Sequence, residues 1–204
     1  MSKFIIIEGT DNTGKDTQQN LIIEKVNNLV FHKVHYSALP FKDDKAKHKS
    51  YSTKMYNDMF KMMMNSKDDD INIIFNRSHL GESVYAPLYR GYSGDFIFDI
   101  EEPYVNKLRE ELYLITLVND PSIIMSRDDG KSFYDNEEEI KAECDGFTIA
   151  HRLSKIKNKM LVNVGKMDAE EVSNVILEFL SHENKVLPTQ QLNLVEKTIY
   201  ALRF

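Results

Sequence analysis

The sequence predicts an α/β protein of three layers, with a parallel five-stranded sheet and helices on both faces. Two observations carry that prediction. Apolar runs of strand length alternate with helical patterns from one end of the chain to the other, and strict alternation implies crossover connections between parallel strands. The length of 204 residues suits one ordinary domain, and a composition of 42% hydrophobic and 28% charged residues is that of a chain with a packed core.

The elements follow in order. Phe4 to Ile7 reads as the first strand, and Asp16 to Leu29 as a helix with Leu21, Ile22, Val26 and Leu29 at core-like spacing. Val34 to Leu39 is the second strand. Residues 52–65 form a helix with Met55, Met59, Met62 and Met63 on one face, a stripe read as core. Ile71 to Phe75 is a short buried strand, followed by a segment rich in Gly and Tyr to about residue 95. Glu101 to Glu110 is helical, Leu112 to Val118 is a strand, and Pro121 opens a short helix, since proline suits the first turn. Residues 127–136 are polar and loop-like, 137–157 helical, and Met160 to Val164 the last strand. Asp168 and Glu171 form a capping box for a helix ending near Leu180. The domain spans residues 1–185. Residues 186–204, which include Pro188, follow as a C-terminal extension read as a packed arm.

Composition excludes several functions. No apolar run reaches the roughly 20 residues of a membrane span, and the N-terminus has no signal-peptide pattern. A single cysteine, Cys144, precludes an internal disulfide, so the expected setting is a reducing one, the cytoplasm (a host's cytoplasm if the source is viral). A net charge of −6 argues against a protein that coats nucleic acid. Residues 41–67 nevertheless hold seven lysines against three aspartates, a sign that would attract an anionic nucleotide.

The most specific motif follows the first strand and opens the first helix. Gly9-Thr10-Asp11-Asn12-Thr13-Gly14-Lys15-Asp16-Thr17 fits G-x-x-x-x-G-K, the phosphate-binding loop. Successive backbone N–H groups curl around an anion, the helix N-terminus adds partial positive charge, and the lysine reaches the terminal phosphates. Lys15 is expected to be exposed when no phosphate is present. The residue after the lysine is normally Ser or Thr, whose hydroxyl ligates Mg²⁺. Here it is Asp16, a carboxylate able to take that metal, while Thr17 lies one position too late on the helix to point the same way.

Three classes share such a loop: a GTPase-like switch, a motor or transport ATPase, and a small kinase. A switch would carry N-K-x-D. Gly165-Lys166-Met167-Asp168 lacks the asparagine, no D-x-x-G precedes it, and no strand ends in the acidic pair of a motor ATPase. The kinase reading gains from the third strand, which runs into Asn76-Arg77-Ser78. An arginine at the C-terminal end of a parallel strand faces the ligand crevice, where its guanidinium can clamp phosphates.

With these two motifs in order, the chain resembles the thymidylate kinase family, particularly phage-type deoxynucleoside monophosphate kinases. Glu8 to Gln18 matches that family's E-G-x-D-x-x-G-K-x-T-Q almost throughout. Asn76-Arg77-Ser78 stands at its D-R-[YFS] and Tyr85 on its tyrosine. The resemblance, over residues 3–182, implies a phosphate-loop kinase that uses ATP and Mg²⁺ to phosphorylate a deoxynucleoside monophosphate, with dTMP as the leading acceptor, and that forms a homodimer. It further implies that Lys15, Arg77, Arg127 and Lys131 are catalytic, the last two on a lid at 127–136 that closes over ATP. Asp11, Lys42, Phe60, Arg77, Glu82, Tyr85 and Arg90 would line the acceptor site, with Lys42 on its phosphate and Phe60 either stacking on the base or simply core. Asn76 replaces an aspartate that organises the metal, and Asp16 would supply the lost carboxylate. The alternatives are a kinase for the hydroxyl of a nucleoside or a modified base in DNA, and a nucleotide-binding module without catalysis.

Overall fold

Five strands, β1 (Phe4–Gly9), β2 (Phe31–His35), β3 (Asn72–Asn76), β4 (Leu112–Val118) and β5 (Asn158–Asn163), pair in parallel in the order β2-β3-β1-β4-β5. The computed structural model describes residues 2–26, 31–36 and 44–181. β1 lies at the centre, and the chain crosses over it when it passes from β3 to β4. In such a sheet the crevice beyond the carboxyl ends of the strands at that crossover is the natural ligand site.

Burial on both faces explains the apolar strands. In β1, Phe4 and Ile6 join one core while Ile5 and Ile7 join the other. The first core packs α2 (Lys45–Asn65), α3 (Leu80–Tyr85), α4 (Phe96–Val105) and α6 (Glu137–Leu153) through Met59, Leu80, Ile97 and Phe147. The second packs α1 (Lys15–Lys25) and α7 (Ala169–Ser181) through Ile22, Val172 and Ile176. A short α5 (Pro121–Ser126) rests on α6 through Ile124, Ile140 and Cys144. No helix among the described residues is long and apolar enough to cross a membrane. The predicted fold class is the observed one.

Boundaries differ where polar residues carry the element. β2 is Phe31–His35, beginning three residues before the expected Val34, and residues 37–39 of the expected strand lie outside the described residues; it is an edge strand in which His32, Lys33 and His35 are exposed, so hydrophobic alternation gave no register. α2 starts at Lys45, about three turns before Met55 opens the methionine stripe, because the Asp44 carboxylate accepts from the Lys47 N–H at 2.9 Å and caps it. α4 covers 96–105 rather than 101–110, since its buried face runs from Ile97 through Ile100 and Glu101 to Val105. α6 ends at Leu153, before the expected 157. α1 buries Gln18, Gln19 and Ile22, while Leu21 and Val26 are only partly covered; Leu29 and residues 186–204 lie outside the described residues. The capping box is present, with Asp168 and Glu171 exchanging backbone-to-carboxylate bonds of 2.9 Å.

Candidate active site

The loop between β1 and α1 has the shape its glycines permit. Gly9 adopts φ +138°, and a Cβ there would sit 2.0 Å from the Leu117 carbonyl oxygen of β4, so no larger residue fits. Gly14 adopts φ +91° with open space around it, and Asn12 is also left-handed at φ +61°. The Thr13 hydroxyl donates to the Thr10 carbonyl at 2.7 Å, drawing the turn together.

Lys15 departs from expectation. Its ammonium is buried, donating to the carbonyls of Gly9 at 2.8 Å and Thr10 at 2.7 Å, with the Asp11 carboxylate 3.6 Å away. Burial lowers its pKa, as does the nearby Arg77 charge, against the opposing pull of Asp11, Glu8 and Asp16. The lysine therefore folds back on its own loop, where the loop carbonyls solvate a charge that a phosphate would otherwise meet.

At the end of β3, Arg77 takes a left-handed backbone at φ +67°, and its N–H donates to the Ile7 carbonyl at 2.9 Å. That conformation costs about 1–2 kcal/mol for a non-glycine residue. It aims the guanidinium back over the loop, where Nη2 donates to Asp11 Oδ1 at 2.8 Å while Nε is buried without a partner. Glu8 ties the next turn down: its carboxylate accepts from the Ser78 N–H and hydroxyl, both at 2.8 Å, and from the Gly81 N–H at 3.2 Å. His79 continues the network inward to Glu101 at 2.9 Å.

Asp16 and Asn76 touch. Asn76 Nδ2 donates to Asp16 Oδ1, while Asn76 Oδ1 is buried and accepts from nothing. The Asp16 side chain itself is largely exposed beside the loop. An exposed carboxylate next to an unsatisfied amide oxygen suits a hard, oxygen-seeking cation such as Mg²⁺. Among the described residues no three His, Cys, Asp or Glu side chains gather to form a metal cage, so such an ion would depend on phosphate and water for its remaining ligands.

After Arg77, α3 and the wide turn Ala86–Arg90 carry a second polar cluster. Buried Glu82 accepts from Arg90 Nη1 at 2.9 Å and from the Tyr92 hydroxyl, and His48 Nδ1 lies 3.6 Å from it. Burial lowers the His48 pKa, assisted by Arg90 and opposed by Glu82. Tyr85 meets Tyr89, Phe133 and Phe147 at ring-centroid distances of 5.6 to 6.1 Å. Phe60 lies elsewhere. It is fully buried, stacked on Tyr104 at 5.2 Å and edged by His79 at 5.1 Å, so both its neighbours are protein and no face is open to a base. Lys42 lies outside the described residues.

The lid candidate touches the phosphate loop. Asn12 Nδ2 donates to the Tyr134 hydroxyl at 2.8 Å, Ser132 Oγ at 3.2 Å and Asp128 Oδ1 at 3.3 Å. Arg127 borders a cavity of about 210 Å³ with Thr13, Thr17, Met167, Asp168 and Val172, on the α1–α7 side of the loop. Lys131 is exposed and paired with Asp129 at 2.9 Å.

Sequence reading missed Glu143, His48, Tyr89 and Tyr92. Glu143 is the most unusual. It is 1% exposed, its Oε1 accepts from the Tyr89 hydroxyl at 2.7 Å, and its Oε2 is buried without a partner. Burial pushes its pKa up to about 7, with the Tyr89 bond and Lys15 opposing and Asp11 adding to the rise. The available signal was its place on the apolar stripe of Ile140, Cys144 and Phe147.

The site thus combines a phosphate loop with a strand-end arginine at the crossover of a parallel sheet. No family model and no curated protein matches the sequence, but solved structures do match the fold. The YorR protein of Bacillus subtilis, in complex with phosphorylated GDP, superposes with a TM-score of 0.62 at 18% identity, over 87% of this chain and 95% of its own. Deoxyadenosine kinase from M. mycoides, with products dCMP and dCDP bound, gives 0.58 at 18%, over 87% and 98%. Thymidylate kinase from Candida albicans gives 0.53 at 15%, over 88% and 91%. The chain has the nucleotide-kinase fold.

Proposed function

We propose that the chain is an ATP-dependent kinase of deoxynucleoside monophosphates, with dTMP as the leading acceptor. The observation that carries this reading is Arg77. A strained backbone at the end of β3 holds its guanidinium on Asp11 of the phosphate loop, and the chain runs from there directly into α3, which carries Glu82 and Tyr85. A cation in that position meets both phosphates of a transfer, and stabilising the charge on the moving group is most of what such an enzyme does.

The donor's terminal phosphates bind on the loop amides of Gly9 to Thr17, and Lys15 exchanges its two carbonyl partners for phosphate oxygens. Arg77 releases Asp11 to bridge donor and acceptor. Asp16, with Asn76 beside it, would hold Mg²⁺, which neutralises phosphate charge when bound. Arg127 closes on the nucleotide from the lid, and Lys131 follows once it leaves Asp129. Phe60 is left out of the acceptor site because it has no free face. The protein would act as a homodimer in the cytoplasm.

The test is a screen of nucleoside monophosphates and of free nucleosides with Mg·ATP, following ADP release. Turnover with deoxynucleoside monophosphates, dTMP foremost, is expected. Turnover with nucleosides alone would move the acceptor to a sugar hydroxyl, and no turnover with either class would leave a binding module.

A further inference from the structure

His35 closes the C-terminal end of β2, and its Nδ1 lies 4.0 Å from Asp16 Oδ1, the same oxygen that accepts from Asn76. Three elements thus converge on one point beside the phosphate loop: the ends of β2 and β3 and the start of α1. They bring an imidazole, a carboxylate and an amide whose oxygen is buried and unsatisfied. We infer that these residues form a mixed nitrogen and oxygen site for the divalent ion that accompanies the donor triphosphate, and that His35 makes it favour a first-row transition ion such as Mn²⁺ over Mg²⁺. This rests on the donor-site reading above and adds a ligand and a selectivity to it.

The geometry allows it. Two protein ligands on one ion with bonds of about 2.1 Å stand roughly 3 to 4 Å apart, depending on the angle between them. The His35 and Asp16 side chains are 45% and 80% exposed, so both can rotate without disturbing the core. Turning the last side-chain torsion of Asn76 exchanges its nitrogen for its oxygen on the Asp16 side, which would give the orphaned oxygen a cation to meet. Selectivity follows from the donor set. Mg²⁺ takes oxygen ligands almost exclusively, whereas first-row transition ions also accept imidazole; Mn²⁺ is the weakest binder among them and shares the preference of Mg²⁺ for oxygen, so it is the most stringent member of the row to compare. With two charged or ionisable side chains and one amide, the protein supplies half an octahedron at most, so the ion arrives with phosphate.

Mn²⁺ with inorganic triphosphate is the probe, because that anion carries no nitrogen. Electron spin-echo modulation of the protein-bound Mn²⁺ is expected to show ¹⁴N coupling from a coordinated imidazole. His35→Gln, a change at an exposed edge position, should fold normally, lose that coupling, and lower the ratio of Mn²⁺ to Mg²⁺ affinity by at least about tenfold. Bound Mn²⁺ without imidazole coupling, or equal coupling in His35→Gln, would overturn the inference while leaving nucleotide binding intact. If neither Mg·ATP by calorimetry nor Mn²⁺ with triphosphate binds at all, the donor-site reading fails and this inference falls with it.

Discussion

Glu143 offers a test that needs no substrate. Its carboxyl is buried, one oxygen is unpaired, and its pKa is raised from 4.5 to about 7, chiefly by burial. Below pH 4.5 the group is neutral in both folded and unfolded chains. As pH rises the unfolded carboxyl ionises first, so stability is lost progressively until the folded carboxyl also ionises near pH 7. The full loss is about 3 kcal/mol, of which roughly three quarters falls between pH 5 and 8. Glu143→Gln keeps an acceptor for Tyr89 and never carries charge, so whatever its amide costs is independent of pH. Thermal unfolding of both proteins at the two pH values is the assay. The melting temperature of the variant relative to the parent should rise by roughly 5–10 °C on going from pH 5 to pH 8, given about 2–4 °C per kcal/mol for a chain of this size. Histidine titrations cancel in that difference. A gap that stays constant with pH would show that Glu143 is already ionised in the fold at pH 5, and that the unpaired oxygen is satisfied by solvent.

Other changes test the donor site. Lys15→Ala should abolish transfer and weaken binding of a fluorescent ATP analogue, and near-normal turnover would remove the phosphate-loop assignment. Arg77→Ala should lower turnover by about 10²–10³, or 3–4 kcal/mol, while ATP affinity measured by calorimetry changes far less; an unchanged rate would make Arg77 structural. Gly9→Ala should prevent stable folding, since its Cβ meets the Leu117 carbonyl at 2.0 Å, whereas Gly14→Ala, with open space, should cost only about 1–2 kcal/mol of backbone strain in chemical denaturation. Asp16→Ser combined with Asn76→Asp should recover more activity than either change alone, with altered Mg²⁺ dependence; purely additive effects would mean that the two side chains act on separate ligands.

How far the sequence reveals this molecule depends on which physical term shapes each part. The sheet was legible because burial on both faces leaves strands such as Ile5 to Ile7 and Leu112 to Val118 apolar throughout. The phosphate loop was legible because Gly9 answers a steric demand that no other residue meets. Polar elements escaped the same reasoning. β2 is an edge strand with partly solvated faces, its register unmarked, so nothing in the sequence singled out His35, which ends that strand beside Asp16. The changes at Asp16 and Asn76 could be read as a pair of substitutions, yet only the folded chain brings the two groups into contact across 60 residues. Lys15 was expected in solvent because a lysine usually remains there; its burial follows from the loop carbonyls of Gly9 and Thr10, to which its ammonium donates. Glu143 is the sharpest case. Glu137 and Glu138 in the same helix are exposed, and in sequence alone Glu143 reads as one more charge on a solvated face. What separates it is phase: it shares the stripe of Ile140, which packs on Ile124 of α5, and Phe147, which packs on Tyr85 of α3. A charge on an apolar stripe violates local consistency, and such violations concentrate where function outweighs stability. By that reasoning the residues least legible in this sequence, Glu143 and His35, mark the places where the site departs from a plain phosphate-loop scaffold.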